Sequence, residues 1–447
     1  MNLFKYFLFF SSVAGLSLPD SPIQRNKIKS IDNKILSYTS AATLNNFISP
    51  LVGIVDGIWI GKLGTADMLA GSGYGDQIFG ITYDLTSYVS PIITPEIAEM
   101  KTKNEIKKVK ELILNSLILS IMLGTIMSTF TYVFAERITN MLISNNFDIF
   151  KYTLKYLKYR ILSLPFALIN SSIFGILRGM EDFKNAVWIN TKAQIVNIIL
   201  DPLLMYQYGF IGIVLGSIIA EIYCALEFLV FLYNKDLIDF SCKLNFRKQF
   251  EIIKKGISIQ LKNMNYNFMI ILMNNKIMTL PDANRILAAH VIMSRLYQLG
   301  SIFHAGLSSV SSTIIPVEKI TNDDSLALNR LLRFGNIIGI TQLFLILLSK
   351  PLISLFTNDK VILNECFKVI KYLSLLVYLN SLSSVFEGSL QGYKKYNTQA
   401  LISFLSFSTI FICLNFCKNL SHIWISILTM ALTRLVSSST IILFNIF

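Results

Sequence analysis

The feature that most constrains the fold of this chain is a series of long, nearly uninterrupted apolar runs, of which residues 113–134 are an example. A helix that crosses a lipid bilayer needs about 20 apolar residues. The strands of a transmembrane β-barrel are about 10 residues long and alternate between polar and apolar side chains. The runs in this chain are too long and too continuous for such strands. The sequence therefore predicts an all-α, polytopic membrane protein.

The composition excludes soluble and disordered classes of protein. Hydrophobic residues make up 53% of the chain and charged residues only 15%, whereas a soluble domain carries about 25% charged residues. A formal net charge of +13 would suggest nucleic acid as the partner of a soluble protein. Here Lys and Arg lie mainly in the loops between apolar runs, where they orient the chain and attract anionic lipid headgroups. We therefore expect a lipid bilayer, and no nucleic acid, as the partner.

The sequence predicts about twelve transmembrane helices, although the first two segments contain several polar residues and score poorly on hydropathy alone. Their bounds are 36–61, 67–95, 110–134, 156–179, 184–206, 209–233, 252–279, 284–314, 332–356, 368–392, 396–417 and 420–446. The loops after even-numbered segments are richer in Lys and Arg, which places these loops and both termini on the cytoplasm-equivalent side.

The chain divides into two pseudo-symmetric halves. We expect a six-helix lobe at residues 35–234, a linker at 235–251 and a second six-helix lobe at 252–447. The motif Gly-Ile-Leu-Arg-Gly at 175–179, which ends the fourth segment, recurs as Gly-Ser-Leu-Gln-Gly at 388–392, which ends the tenth. Two parallel six-helix halves are typical of transporters that handle their substrate between the halves.

Residues 1–34 form an N-terminal extension that is signal-like at its start and basic at its end. One Lys, a short apolar stretch and small residues give residues 1–17 the outline of a secretory signal. The alternative is a short interfacial segment on a retained tail. The sequence leaves open whether the protein lies in the plasma membrane or in an organelle membrane, such as that of a plastid.

Acidic side chains inside apolar runs are the candidates for chemistry. A carboxylate at the bilayer centre costs about 2.5–3.5 kcal/mol on insertion scales, so its presence there indicates a function. Asp56 and Asp201 lie in such runs, and Asn197 precedes Asp201 by four residues, which places both on one helix face. Pro202 frees a backbone carbonyl one turn earlier. These groups form a candidate oxygen-lined site for a cation or a proton; the alternative is that each Asp lies at a solvated end of a helix.

Such a site can couple ion binding to a conformational change. Burial and mutual repulsion both favour the neutral form of a carboxyl group. A neutral pair tolerates a closed, apolar environment, whereas an ionised pair requires water or a cation. That difference can shift the populations of two arrangements of the helices.

The chain resembles the multidrug and toxic compound extrusion (MATE) family, in particular its bacterial DNA-damage-inducible and plant plastid-type branch. The resemblance rests on Val-Asp-Gly-Ile-Trp-Ile-Gly-Lys-Leu-Gly at 55–64, on the stretch 91–98, on Gly-Ile-Leu-Arg-Gly-Met-Glu-Asp-Phe-Lys at 175–184 and on Asn-Ile-Ile-Leu-Asp-Pro at 197–202. It implies twelve helices in two lobes and export of organic solutes against entering H⁺ or Na⁺. It also implies that Asp56, Asn197, Asp201 and Ser217 form the cation site of the first lobe.

The chain departs from the family pattern at several polar residues. In the second half, Glu387 is the residue that best represents the acidic site familiar from the family, and His304 is either an interior histidine or a proton relay. Asp76 and Asp84 lie eight residues apart on one face of the second segment. They either line the cavity and favour cationic substrates, or pair with basic groups of the second half.

These observations predict a secondary active antiporter that exports multidrug or xenobiotic organic solutes by alternating access. It is expected to be a monomer, not an enzyme, with no cofactor and no metal beyond a Na⁺ ion at Asp56 and Asp201. The chain lacks the GxxxxGK[ST] loop of ATP-driven proteins and the DDxxD motif of prenyltransferases. The alternatives are a lipid-linked substrate flippase, a membrane-embedded transferase, or a former carrier that binds a ligand without moving it.

Overall fold

The computed structural model describes residues 22–143, 147–239, 241, 244–357 and 359–446, so the signal-like residues 1–17 lie outside the described part. The described residues are helical and include no strand. The helices are α1 (Pro22–Leu63), α2 (Ala66–Asp84), α3 (Val89–Thr102), α4 (Ile106–Leu142), α5 (Phe147–Arg160), α6 (Leu164–Gly179), α7 (Phe183–Tyr208), α8 (Phe210–Asn234), α9 (Phe246–Met278), α10 (Ala283–Ile320), α11 (Asp324–Leu347), α12 (Lys350–Ser354), α13 (Lys360–Gly392), α14 (Tyr396–Leu414) and α15 (Leu420–Ile446).

These helices make up twelve membrane-length segments, which confirms the predicted all-α, polytopic fold. The second segment consists of α2 and α3, and the fourth consists of α5, a 3₁₀ turn (Ile161–Ser163) and α6. Within the described residues, nine segments are long and apolar enough to cross a membrane by composition alone. The other three, α2 with α3, α7 and α9, carry Asp, Asn, Lys and Gln side chains that lower their hydropathy. Such polar side chains within spans are where transport chemistry is expected.

The chain folds into two compact units. The first unit comprises residues 44–260. The second unit comprises residues 261–446 together with the described residues before Leu44. The chain passes between the units within α1 and within α9.

In the first unit, the repeated glycine motif allows two helices to approach closely. Gly175 of α6 packs on Ser90 of α3, so that a Cβ atom at Gly175 would lie 3.0 Å from the Ser90 carbonyl oxygen. Gly179 packs on Thr94 in the same way, and Thr94 Oγ1 donates a hydrogen bond of 2.9 Å to the Gly175 carbonyl. Small residues four apart are a common means of helix association in lipid.

The second copy of the motif has the same role in the second unit. Gly388 of α13 packs directly on the backbone of Ser308 in α10, and Gly392 lies where a Cβ atom would be 3.1 Å from Ile315 and Pro316. The recurring sequence therefore marks an equivalent helix contact in each unit.

The basic residues before position 35 are part of the folded chain rather than a separate extension. Residues 22–34 form the first turns of α1, and Ile31 and Ile35 are buried. Arg330 Nε donates to Asp32 Oδ1 at 2.6 Å, and Lys27 forms an ion pair with Asp323. The start of α1 is thus held by ion pairs within the second unit.

Candidate functional site

Two acidic side chains from different helices meet in the first unit. Asp56 lies on α1 and Asp201 on α7, and their carboxyl groups are within hydrogen-bonding reach of each other. Asp201 is 0% exposed, and Asp56 is half-buried. Because two ionised carboxylates have no hydrogen to donate and repel each other, a proton or a cation between them would stabilise the pair.

Asn197 and Ser217 lie beside this pair. Asn197 is one helical turn before Asp201 on α7, and Ser217 is on α8; both side chains are buried. Gly216 of α8 packs directly on Asp201 Oδ1, with no room for a Cβ atom between them. The structure therefore brings together the four residues that the sequence predicts for a cation site.

The oxygen atoms of this site lack protein donors. Asp56 Oδ1, Asn197 Oδ1 and both carboxyl oxygens of Asp201 are buried without a hydrogen-bond donor among the described residues. A buried oxygen without a partner costs about 1–3 kcal/mol. A bound proton or a small cation such as Na⁺ would satisfy these atoms. The described residues contain no group of three or more His, Cys, Asp or Glu side chains suited to a metal ion.

The site borders a cavity of about 570 Å³ within the first unit. Asp56, Asn197 and Ser217 line it, and the fully buried Asp201 adjoins it through Asp56. Its other charged lining residues are Asp76, Arg160, Arg178 and Glu221. The polar wall also includes Asn45, Asn46, Tyr83, Ser90, Tyr156, Asn170, Ser171, Asn190 and Gln194, and the aromatic wall includes Phe79, Phe174 and Phe228.

Charged groups on the cavity wall have hydrogen-bond partners within the first unit. Tyr156 donates its hydroxyl hydrogen to Asp76 Oδ1 at 2.7 Å. Arg160 Nη2 donates to Glu221 Oε1 at 2.7 Å, and the Arg160 guanidinium lies 4.0 Å from the centre of the Phe79 ring. Asp76 is one of the residues that line the cavity. Its hydrogen-bond partner, Tyr156, belongs to the same unit.

Asp84 does not lie with Asp76 on the cavity wall. It is the last residue of α2, and its side chain is exposed. Its backbone carbonyl accepts hydrogen bonds from Gln260 Nε2 at 2.8 Å and from Ser87 Oγ at 3.4 Å. The regular spacing of eight residues therefore does not translate into a shared environment, because the helix ends at Asp84.

In the second unit, Glu387 is a partly buried partner of two cations rather than a neighbour of other acids. Lys262 Nζ lies 2.8 Å from Glu387 Oε2, and Arg434 Nε lies 3.0 Å from Glu387 Oε1. His304 has a neutral partner instead of a charged one. It is buried, and its Nε2 is 2.7 Å from Gln342 Oε1. This geometry fits an interior histidine held by an amide.

Two cavity residues were missed in reading the sequence. Arg160 follows Lys155 and Lys158 in the sequence and resembles the charged flank of a span, yet it lies on the cavity wall, where it is hydrogen-bonded to Glu221. Glu221 and Glu227 are the two acidic residues within the apolar run 209–233, and an acid within such a run is the signal that could have identified Glu221.

The fold and the buried carboxyl pair define a polytopic helical membrane protein with a transporter-type cavity. The family model described as MatE matches residues 41–203 and 259–417, which is more than half of the chain. The chain therefore belongs to the MATE family, whose members are transporters and not enzymes, and it is an integral, multi-pass membrane protein.

Similar proteins agree with this family. The multidrug export protein MepA of Staphylococcus aureus (strain N315) is 24% identical over 374 residues, which cover 80% of this chain and 81% of MepA. Protein DETOXIFICATION 43 of Arabidopsis thaliana is 24% identical over 286 residues, or 61% of this chain and 53% of that protein. A solved structure of a multidrug resistance MATE family transporter in the outward-facing conformation superposes with a TM-score of 0.83 at 17% identity, covering 93% of this chain and 96% of that one.

Proposed function

We propose that the protein is a secondary active antiporter that exports organic solutes in exchange for H⁺ or Na⁺. The observation that carries the proposal is the contact between the carboxyl groups of Asp56 and Asp201, whose buried oxygens lack protein donors. Membership of the MATE family and the likeness to a multidrug export protein support export as the direction of transport.

The coupling follows from the state of the carboxyl pair. With a bound proton or Na⁺, the repulsion between Asp56 and Asp201 is relieved and the surrounding helices can close over the site. Without the cation, the two charges favour an arrangement that admits water. Alternating access would be the exchange between these two arrangements, biased by the cation. One charge that moves through 100 mV supplies about 2.3 kcal/mol, enough for a concentration ratio of roughly fifty.

The cavity suits organic solutes. Its volume of about 570 Å³ lies within the range of about 300–1,000 Å³ typical of pockets for drug-sized ligands. Aromatic rings on its wall offer apolar contact, and the acids Asp56, Asp76 and Glu221 outnumber the bases Arg160 and Arg178. We therefore propose neutral or cationic organic molecules as substrates.

Transport in proteoliposomes tests this proposal. The full-length protein would be reconstituted, and movement of the fluorescent cation ethidium would be followed under an imposed pH gradient, an imposed Na⁺ gradient, or neither. We expect one of the two gradients to drive transport. Asp201→Asn should slow gradient-driven transport at least about tenfold, which corresponds to a free-energy difference of about 1.4 kcal/mol.

The matched control is Asp84→Asn, the same substitution at an exposed carboxylate of the same unit. It should leave the rate within about twofold, because 1 kcal/mol or more is expected only where a buried group is changed. Two results would contradict the proposal. One is a transport rate that depends on neither gradient, and the other is a rate that is unchanged in Asp201→Asn.

The location of the protein can be tested with a cut chosen from the structure. Since Lys27 and Asp32 form ion pairs with the second unit, a truncation should remove residues 1–21 only. A fluorescent tag on the C-terminus of the full-length and the truncated chains would then compare the plasma membrane with an organelle. We expect the truncated chain to lose its organelle location if residues 1–17 act as a signal. An unchanged location would contradict a signal there.

A further inference from the structure

The second unit contains a cavity of its own, of about 220 Å³. It lies between α9, α10, α13 and α15. The apolar part of its wall includes Met269, Met273 and Tyr266, and the polar part includes His290, Asn380, Trp424 and Arg434. The proposed antiporter mechanism makes no use of this cavity.

The charge on the cavity wall is positive. The lining residues include Arg434 and Arg295 and no Asp or Glu. The nearest carboxylate to Arg434 is Glu387, which also binds Lys262 at 2.8 Å. One partly buried carboxylate therefore balances two cations, and the region keeps an excess positive charge. A buried excess charge is costly unless a counter-ion is present.

Arg434 is only partly satisfied by its protein partners. Its Nη2 atom donates to Asn380 Oδ1 at 2.5 Å. Its Nε atom is 3.0 Å from Glu387 Oε1, but the N–H is not aimed at that oxygen and makes no hydrogen bond. A guanidinium carries five N–H donors in a fork that matches a carboxylate. At one end of the cavity, the Arg434 guanidinium therefore has at least one N–H group that is free to donate a hydrogen bond to a ligand.

The other end presents two buried nitrogen atoms without partners. Trp424 is 2% exposed, and its indole N–H has no acceptor among the described residues. His290 is 5% exposed, its Nδ1 has no partner there either, and its ring lies 5.6 Å from the Trp424 ring. Because an indole nitrogen is only a donor, the group that would satisfy it is a hydrogen-bond acceptor.

The two ends are separated along α15. Trp424 and Arg434 are ten residues apart, which corresponds to a rise of about 15 Å along a helix. The Arg434 side chain extends toward the N-terminus of its helix, as helical side chains do, and this shortens the gap. A ligand that contacts both ends must therefore be elongated, with different polar groups at its two ends.

We propose that this cavity binds a small, elongated organic carboxylate, with the carboxylate at Arg434 and a hydrogen-bond acceptor at the Trp424 and His290 end. The apolar body of the ligand would pack on Tyr266 and Met273. The volume of about 220 Å³ is below the range of about 300–1,000 Å³ for drug-sized ligands, which limits the ligand to roughly one aromatic ring with its substituents.

Equilibrium binding of three matched probes to the purified full-length protein tests the proposal. The probes are 4-acetylbenzoate, 4-acetylbenzamide, which lacks the charge, and 4-isopropylbenzoate, which lacks the acceptor but has a similar shape. We expect 4-acetylbenzoate to bind at least about tenfold more tightly than either of the others, a difference of about 1.4 kcal/mol. Equal binding of the three probes, or no saturable binding, would overturn the proposal.

Two variants assign each preference to its residue. Arg434→Gln leaves Glu387 paired with Lys262, so the unit stays charge-balanced; it should abolish the preference for the benzoate over the benzamide. Trp424→Phe keeps an aromatic ring and should abolish the preference for acetyl over isopropyl. If Arg434→Gln fails to fold, Lys262→Gln, which also removes the excess cation, should weaken benzoate binding.

A preference that survives in both charge variants would overturn the proposal. Because binding is measured without any gradient, its failure is distinct from a failure of the antiporter proposal, which rests on Asp56 and Asp201.

Discussion

Replacing Glu387 by Gln should be among the most destabilising single changes in the second unit. The carboxylate is shared by Lys262 at 2.8 Å and Arg434 at 3.0 Å. The side chains of Glu387, Lys262 and Arg434 are 12%, 26% and 21% exposed, so water replaces little of the lost interaction. Glu387→Gln leaves two partly buried like charges near each other without the counter-ion that they share.

The magnitude follows from which charges remain unpaired. Removing one partner of a buried ion pair costs about 3–5 kcal/mol, because the other charge stays buried and uncompensated. Lys262→Gln is the informative comparison, since Glu387 keeps Arg434 as its counter-ion. That change loses one hydrogen bond to a charged group, which costs about 1.5–3 kcal/mol.

Thermal unfolding of the purified protein measures the order of these effects. The control is Glu365→Gln on the same helix, where the carboxylate forms a surface pair with Lys368 at 2.6 Å. Such a pair contributes about 0.3–0.5 kcal/mol. We expect the melting temperature to fall most for Glu387→Gln, less for Lys262→Gln and hardly at all for Glu365→Gln. A loss from Glu387→Gln no larger than that from Lys262→Gln would refute the reasoning about unpaired charge.

Two further predictions concern a glycine and an ion pair. Gly216→Ala should slow gradient-driven transport at least about tenfold, or about 1.4 kcal/mol, because the new Cβ atom displaces the Asp201 carboxyl group. Gly73→Ala, at a position with open space around it, should not; equal loss in both would contradict this. The hydrogen bond from Lys27 holds the pKa of Asp323 below its ordinary value of 3.8. Because the folded-state pKa is lowered, the stability from this pair is present above pH 3.8 and is lost as the pH falls through the lowered value. At neutral pH the free energy of unfolding of the wild type should therefore exceed that of Lys27→Gln by less than about 1 kcal/mol. This difference in stability should vanish in acid. A difference in stability that grows in acid would contradict the assignment.

The helical membrane fold could be predicted from the sequence because its main signal is local. A run such as residues 113–134 is apolar throughout, and it forms α4. The segments that fall below the hydropathy of a typical span, α2 with α3, α7 and α9, carry polar side chains within them. The apolar pattern still predicts α7 and α9, and the family resemblance supports the more polar span formed by α2 and α3. The break between α2 and α3 was not foreseen.

The candidate site could be predicted only in part. Asn197 and Asp201 share a helix face by their spacing, but the contact of Asp201 with Asp56 joins two helices far apart in sequence. Spacing carries no information about such a contact, and here the resemblance provided it. Arg160 and Glu221 were missed because their contact joins two helices and spans 61 positions in the sequence, and a single sequence does not show such a contact.

The unpartnered nitrogen atoms of His290 and Trp424 in the second unit could not be predicted from the sequence. His290 and Trp424 are ordinary residues of apolar spans in the sequence, and only the packing of α10 against α15 shows that their nitrogens lack acceptors. Whether a polar atom is satisfied depends on distant neighbours, which a single sequence does not specify.

The exchange of cation for substrate on the purified protein tests the central claim most directly. Ethidium would be added to the protein in weakly buffered solution, with a pH indicator to detect released protons and radioactive sodium to detect displaced Na⁺. If Asp56 and Asp201 hold the coupling cation, the wild-type protein releases one of the two ions as ethidium binds. The variants Asp56→Asn and Asp201→Asn then release markedly less. Release of the same size from both variants would contradict the account.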